Sequence, residues 1–220
     1  SGSAGVVVPP QGYLQRLRDI CTAHHILLIF DEVITGFGRM GAWTGAEAFG
    51  VTPDILNFAK QVTNGAQPLG GVVATREIYD TFMASGGPDY LLEFPHGYTY
   101  SAHPVACAAG LAALDLLEKE NLVQSAAELA PHFENVLHGV KGAKHIVDIR
   151  NYGLAGALQI AARDGDAIVR PYEIAMKLWN AGFYVRYGGD TLQFGPTFNT
   201  TPRELDRLFD AVGEAINQVD

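Results

Sequence analysis

Two charged residues stand where apolar runs stop. The run Ile26-Leu27-Leu28-Ile29-Phe30 ends abruptly at Asp31, and a weaker run over 54–59 ends at Lys60, 29 positions further on. A short run that is apolar at every position reads as a central parallel strand, buried on both faces. In open α/β sheets, ligands bind in the crevice outside the carboxyl ends of such strands. An acid on one strand end and an amine on the next therefore suggest a pocket. Either residue alone is more often structural, binding loop amides or reaching water. The loops that follow are rich in glycine. Gly36 and Gly38 come after Asp31, and Gly65, Gly70 and Gly71 come after Lys60. Glycine lets backbone approach a ligand closely, and it also serves ordinary tight turns. Neither loop spells a phosphate cradle of the GxxxxGK or GxGxxG kind.

The elements that must position these residues can be read from periodicity. Residues 12–24 have helical spacing through Leu14, Leu17 and Ile20. Residues 71–75 form a third short strand. From 104 to 119 the spacing of Val105, Ala108, Leu111, Leu114 and Leu117 describes one helical face. A second helix covers roughly 122–137. The character then changes. Residues 145–150 and 156–161 read as a hairpin, and 171–180 as a helix with Pro at its start and Gly182 just past its end. Short strands at 183–186 and 191–194 flank the turn Tyr187-Gly188-Gly189-Asp190. A closing helix over 201–219 begins with Thr201 as cap, Pro202 in the first turn and Glu204 completing a capping box. The division falls near residue 122, between an α/β part and a smaller α+β part.

Composition narrows the function classes. A 48% hydrophobic and 18% charged chain of 220 residues can bury a real core. A net charge of −9, with no Lys/Arg stripe, argues against nucleic acid or an anionic membrane surface as partner. The two cysteines, Cys21 and Cys107, lie far apart with no CxxC spacing, which fits a reducing compartment and a cytoplasmic location. No metal-ligand cluster is apparent. The chain is already in full stride at Val6-Val7-Val8, which reads as an entry in mid-domain.

Four segments carry a resemblance. LLIFDEVITGFGRMG resembles the cofactor segment of class III, fold-type-I aminotransferases, which depend on pyridoxal 5'-phosphate. FAKQVTNGAQPLGG is similar to that family's cofactor-lysine segment. HGYTYSAHPVACAAGLAALDLL resembles its phosphate loop and the helix after it. AGFYVRYGGDTLQFGPTFNTT is similar to the C-terminal segment of the branch that passes amino groups from omega-amino acids to pyruvate. Order and spacing agree with the family across essentially the whole chain. The resemblance implies the C-terminal half of a fold-type-I enzyme. Residues 1–122 would be part of the cofactor-binding large domain, and 123–220 the small α+β domain.

The resemblance also implies roles. Lys60 would hold the cofactor covalently and act as general base and acid. Asp31 would pair with the pyridine nitrogen and keep the ring protonated. Val33 would pack on a ring face, although a core valine is an equally good reading of the residue itself. Thr99 would donate its hydroxyl to the phosphate across a dimer interface; by itself it reads as a turn threonine. Arg186 would grip the substrate carboxylate with its two-pronged guanidinium, against a default of a surface arginine beside a turn. Ile34 after Asp-Glu-Val, and Ser101-Ala102-His103-Pro104 after the Thr-Tyr pair, depart from many class III members and favour the omega branch. Family members are about twice as long. The first half would supply phosphate-binding amides, the ring-stacking aromatic and part of the substrate pocket, so this chain alone is expected to be inactive, its enzyme a homodimer or tetramer. Two other readings stand beside this one. LLIFDE resembles the magnesium-binding strand of an ATPase, where Asp31 would hold magnesium and Glu32 would polarise a water, with no partner phosphate loop in sight. The chain could also be a non-catalytic structural or dimerising fragment.

Overall fold

The structure, a computed structural model, describes residues 2, 4–91, 94–163 and 165–220. The chain divides into two compact units. One comprises Gln11–Phe37 and Trp43–Asn121; the other comprises Ser1–Pro10, Gly38–Ala42 and Leu122–Asp220.

The first, an α/β unit, holds α1 (Tyr13–Ala23), β1 (Ile29–Asp31), α2 (Gly45–Phe49), β2 (Ile55–Phe58), a single 3-10 turn (Lys60–Thr63), β3 (Gly71–Ala74), α3 (Arg76–Ala84) and α4 (Pro104–Lys119). Its sheet has the order β1-β2-β3. Strands β1 and β2 run parallel, with Ile29, Phe30 and Asp31 opposite Ile55, Leu56 and Asn57. Strand β3 returns antiparallel beside β2. A small core of Cys21, Leu28 and Val51, lined by Leu14, Leu17 and Phe30, fixes α1 against this sheet. Asp54 fastens the entry to both parallel strands. Its carboxylate accepts from the Leu28 N–H at 2.6 Å and from the Arg18 guanidinium at 2.7 Å. The Arg18 hydrogen bond, seconded by the Leu28 N–H, holds the Asp54 carboxyl below its usual range.

Two expectations fail here. Strand β1 is three residues long and lies at a sheet edge; the central strand is β2. Ile26, Leu27 and Ile29 are each more than half exposed. An all-apolar run signals burial but does not say what buries it, and within this unit only β2 flanks β1. On α4, the buried residues are Ala106, Gly110 and Leu117, while Val105 and Leu111 face out. The helix is apolar nearly all round, so periodicity could not choose its face. Close approach chose it instead. A Cβ at Gly110 would lie 2.9 Å from Leu69 Cδ2 and 3.6 Å from the Val62 carbonyl, which places the glycine face on the loop after Lys60.

The C-terminal unit holds α5 (Leu122–Gly139), β4 (Ile146–Tyr152), β5 (Ala155–Ile160), α6 (Val169–Asn180), β6 (Arg186–Gly188), β7 (Thr191–Phe194) and α7 (Pro202–Asn217). Its four-stranded sheet has the order β4-β5-β7-β6 and is antiparallel throughout. Phe133 and Leu137 of α5, Leu158 of β5, Ile174 and Leu178 of α6, Leu192 of β7 and Leu205, Val212 and Ile216 of α7 are essentially solvent-free. Helix α7 starts as its sequence dictates. Thr201 and Glu204 exchange hydrogen bonds in a complete capping box. The strand expected over 183–186 begins later, at Arg186. The reason is local. Helix α6 ends with Gly182 at φ +89°, the Phe183 N–H donating to Leu178 O and the Gly182 N–H to Trp179 O. That six-to-one closure uses Phe183 as part of the helix stop. The β6–β7 connection then tightens to Gly189-Asp190, with Gly188 opposite Thr191.

Candidate active site

Parallel pairing decides where the two charged residues fall. Asp31 ends β1 opposite Asn57 of β2, and the ladder extends one step further, the Glu32 N–H donating to Asn57 O at 2.9 Å. Lys60 follows two residues after β2 ends. Because the strands are parallel and in register, Asp31 and Lys60 project from the same rim of the sheet, outside the strand carboxyl ends. Both are exposed.

The turn after Asp31 is built by three carboxylate and carbonyl acceptors. Asp31 Oδ1 accepts from the Val33 N–H at 3.1 Å. Glu32 O accepts from the Gly36 N–H at 3.0 Å. The Glu32 side chain points the other way, is 2% exposed, and accepts from the N–H groups of Gly45 and Ala46, both at 2.7 Å, and from the Thr35 hydroxyl at 2.5 Å. Val33 lies half-buried between these anchored residues.

Lys60 sits in the left-handed region, φ +52°, and Asn64 and Gly65 have φ +49° and +76°. Asparagine and glycine adopt this conformation readily; a lysine does not. It is held there by a closed loop. The Gly65 N–H donates to Lys60 O at 3.3 Å, and the buried Thr63 hydroxyl donates to Gln67 O at 2.6 Å. Strain of this sort is found where a site needs a side chain aimed in a direction that ordinary backbone would not give. Among the described residues the Lys60 ammonium makes no hydrogen bond or ion pair.

The other two candidates lie elsewhere in the chain. Thr99 is exposed in the turn 98–101, which is closed by the Ser101 N–H donating to Tyr98 O at 2.9 Å and the Tyr98 N–H to Ser101 Oγ at 2.9 Å. Arg186 belongs to the C-terminal unit, opens the edge strand β6 opposite Gln193, and is exposed. Thus one rim gathers Asp31, Val33 and Lys60, while Thr99 and Arg186 stand on separate elements.

The roles implied by the aminotransferase resemblance passed over two groups. Glu32 is the buried carboxylate of the site turn; its only sequence signal was a charge directly after an apolar run. With both oxygens engaged by backbone and Thr35, it is not free to polarise a water, as the ATPase reading required. Arg39, in the C-terminal unit, donates to Leu154 O at 3.0 Å and Pro196 O at 2.6 Å and stacks 4.8 Å from the Phe198 ring centre. Burial lowers its guanidinium to about 10, still charged at neutral pH. No helix of the described residues is long and apolar enough to cross a membrane, and no group of His, Cys, Asp and Glu among them could hold a metal ion.

Comparison with known proteins places the chain in a family. Residues 1–216 match the aminotransferase class-III family. The chain is 72% identical over 219 residues to an omega-amino acid–pyruvate aminotransferase of Pseudomonas putida, and 73% identical over 219 residues to a beta-alanine–pyruvate aminotransferase of Pseudomonas aeruginosa. In both cases all of this chain covers 49% of the relative. Among solved structures, a thermostable (S)-enantioselective omega-transaminase of Thermomicrobium roseum superposes with TM-score 0.90 at 36% identity, over 98% of this chain and 48% of that one. An amine transaminase of an uncultivated Pseudomonas species, in a PLP-bound form, superposes with TM-score 0.90 at 38% identity, over 98% of this chain and 50% of that one. The architecture is thus that of the fold-type-I, pyridoxal-phosphate-dependent transaminases. The chain belongs to the class III aminotransferase family, and it spans about half the length of the curated relatives it matches. The residues on the rim suit that cofactor: an acceptor for a protonated ring nitrogen and a primary amine for a carbonyl, on adjacent strand ends.

Proposed function

We propose that the protein carrying this chain transfers the amino group of an omega-amino acid or amine to pyruvate. One observation carries the reading: Asp31 and Lys60 leave the same rim of neighbouring parallel strands, in a chain 72–73% identical to two pyruvate-dependent aminotransferases. Lys60 Nζ would hold the cofactor, and its amine would take and return the proton at the substrate carbon. The Asp31 carboxylate would keep the ring nitrogen protonated. Val33 packs against a ring face. The Thr99 hydroxyl donates to the phosphate, reaching a neighbouring subunit's site, so the enzyme is a homodimer or a tetramer. Arg186 grips the carboxylate of the amino or keto acid in two-pronged fashion. Bound pyridoxal phosphate supplies the electron sink for the carbanion.

In sequence, residues 1–122 are assigned to the cofactor-binding large domain and 123–220 to the small domain, with 1–10 and 38–42 grouped with the C-terminal unit. The remaining length found in relatives supplies the other half of the site, and the 220-residue chain alone does not turn over. Ile26, Leu27, Ile29, Val72 and Val73, all more than half exposed on or beside the sheet, support that division. Two unpaired cysteines support a cytoplasmic location.

The test is borohydride reduction of the intact protein, peptide mapping and half-reactions with beta-alanine and pyruvate. A phosphopyridoxyl group on Lys60 is expected. Its appearance on another lysine, or its absence, would remove the assignment.

A further inference from the structure

Glu32 is a buried acid one residue from the proposed cofactor contact, and the functional reading gives it no part. Successive residues of a strand point to opposite faces, so while Asp31 faces the exposed rim, Glu32 turns inward. There it finds an unusually complete set of donors. Gly45 and Ala46 open α2, and their N–H groups have no partners within a helix. Both donate to Glu32, one to each oxygen, and Thr35 adds its hydroxyl. The remaining need of that helix end is met separately, the Glu47 N–H donating to Thr44 Oγ1 at 3.0 Å. A buried carboxylate without these donors would be costly, so the five residues from 32 to 36 have few other arrangements available.

We propose that Glu32 is a positioning residue: by locking the 32–36 turn to the start of α2, its carboxylate aims Asp31 and Val33 from the rim of the sheet. The inference rests on the cofactor role proposed for Asp31 and Lys60. Gly45 provides an independent handle. A Cβ there would lie 3.0 Å from Glu32 Oε2, 3.2 Å from Oε1 and 3.3 Å from Thr35 Cβ, so Gly45→Ala presses on the same carboxylate without removing it.

A role confined to stabilising α2 makes a different forecast from a role in aiming Asp31. Thr44→Ala removes the other cap of the same helix and leaves every donor to Glu32 in place. The experiment is carried out on the intact protein. It compares wild type, Glu32→Gln, Gly45→Ala and Thr44→Ala for the dissociation constant of pyridoxal 5'-phosphate, by titration of the apo form, and for Tm. Glu32→Gln and Gly45→Ala are expected to weaken cofactor affinity by about tenfold, the loss of a charge-assisted hydrogen bond. Thr44→Ala is expected to lower Tm while holding affinity within about twofold of wild type. Should Glu32→Gln fail to fold, Gly45→Ala against Thr44→Ala decides. Equal affinity losses across variants of equal Tm loss, or none in Glu32→Gln and Gly45→Ala, would overturn the proposal. A wild type that binds the cofactor without a reducible adduct on Lys60 overturns the underlying functional reading, and the inference with it.

Discussion

Lys60 joins a proposed cofactor role to a backbone penalty, and the two can be separated by mutation. A non-glycine residue in the left-handed region is held at a cost on the order of 1 kcal/mol. Lys60→Asn removes the amine and substitutes a side chain that tolerates that conformation. Transamination by the intact protein is expected to vanish while Tm stays level or rises; retained turnover would strip Lys60 of its role. Arg186→Ala makes a contrasting forecast. It is expected to raise KM for amino and keto acids by at least about tenfold, since the proposed charged contact to the carboxylate would be lost, and to spare amines that lack a carboxylate. Equal losses for both classes would remove the carboxylate role. Asp31 and Lys60 were legible as a pair because each terminates an apolar run. The positive φ of Lys60 was not legible, since lysine carries no turn signal of its own; only Asn64 and Gly65 nearby hinted at it. Glu32 was hidden for another reason. Its meaning lies in Gly45 and Ala46, which are distant in sequence and anonymous in composition.

At the level of elements, Asp54 is the fastening that keeps β1 and β2 in step. Asp54→Asn leaves Arg18 and the Leu28 N–H with a neutral, weaker acceptor and is expected to cost about 1–3 kcal/mol at neutral pH. The sign of its pH dependence follows from the lowered carboxyl. The contribution is fully present above the ordinary value of 3.8 and is lost as pH falls through the lower folded value. Denaturation curves of the intact protein should therefore show a steady gap between wild type and Asp54→Asn above pH 3.8, closing as the pH falls below it. A gap that widens in acid would contradict the Arg18 pairing. At the other end of the chain, Thr201→Ala removes the α7 cap and is expected to cost about 1 kcal/mol by the same measurement. Helix α7 was readable in advance, because Thr201, Pro202 and Glu204 are adjacent and their meaning is local. The late start of β6 was not, since it depends on Phe183 closing α6 from five residues beyond Leu178. The face of α4 escaped periodicity because a glycine, Gly110, made the contact.

Among the described residues, the apolar side chains left open are concentrated in the α/β unit, at Ile26, Leu27 and Ile29, at Val72 and Val73, and at Tyr79, Phe82, Met83 and Phe94. Surface of that kind marks an interface or an aggregation liability. The 220-residue chain on its own is expected to bind a hydrophobic dye such as ANS strongly. The intact protein should bind it weakly, and equal binding by both would count against burial of these faces. One architectural detail matters to anyone dividing the gene. The C-terminal unit claims Val6, packed with Ala155 and Ala157, and Arg39, which ties Leu154 to Pro196. Both plugs are encoded far upstream of residue 122. A truncation at that boundary would thus deliver a C-terminal piece with two holes in it, and supplying the upstream stretch in trans as a peptide would be the way to fill them.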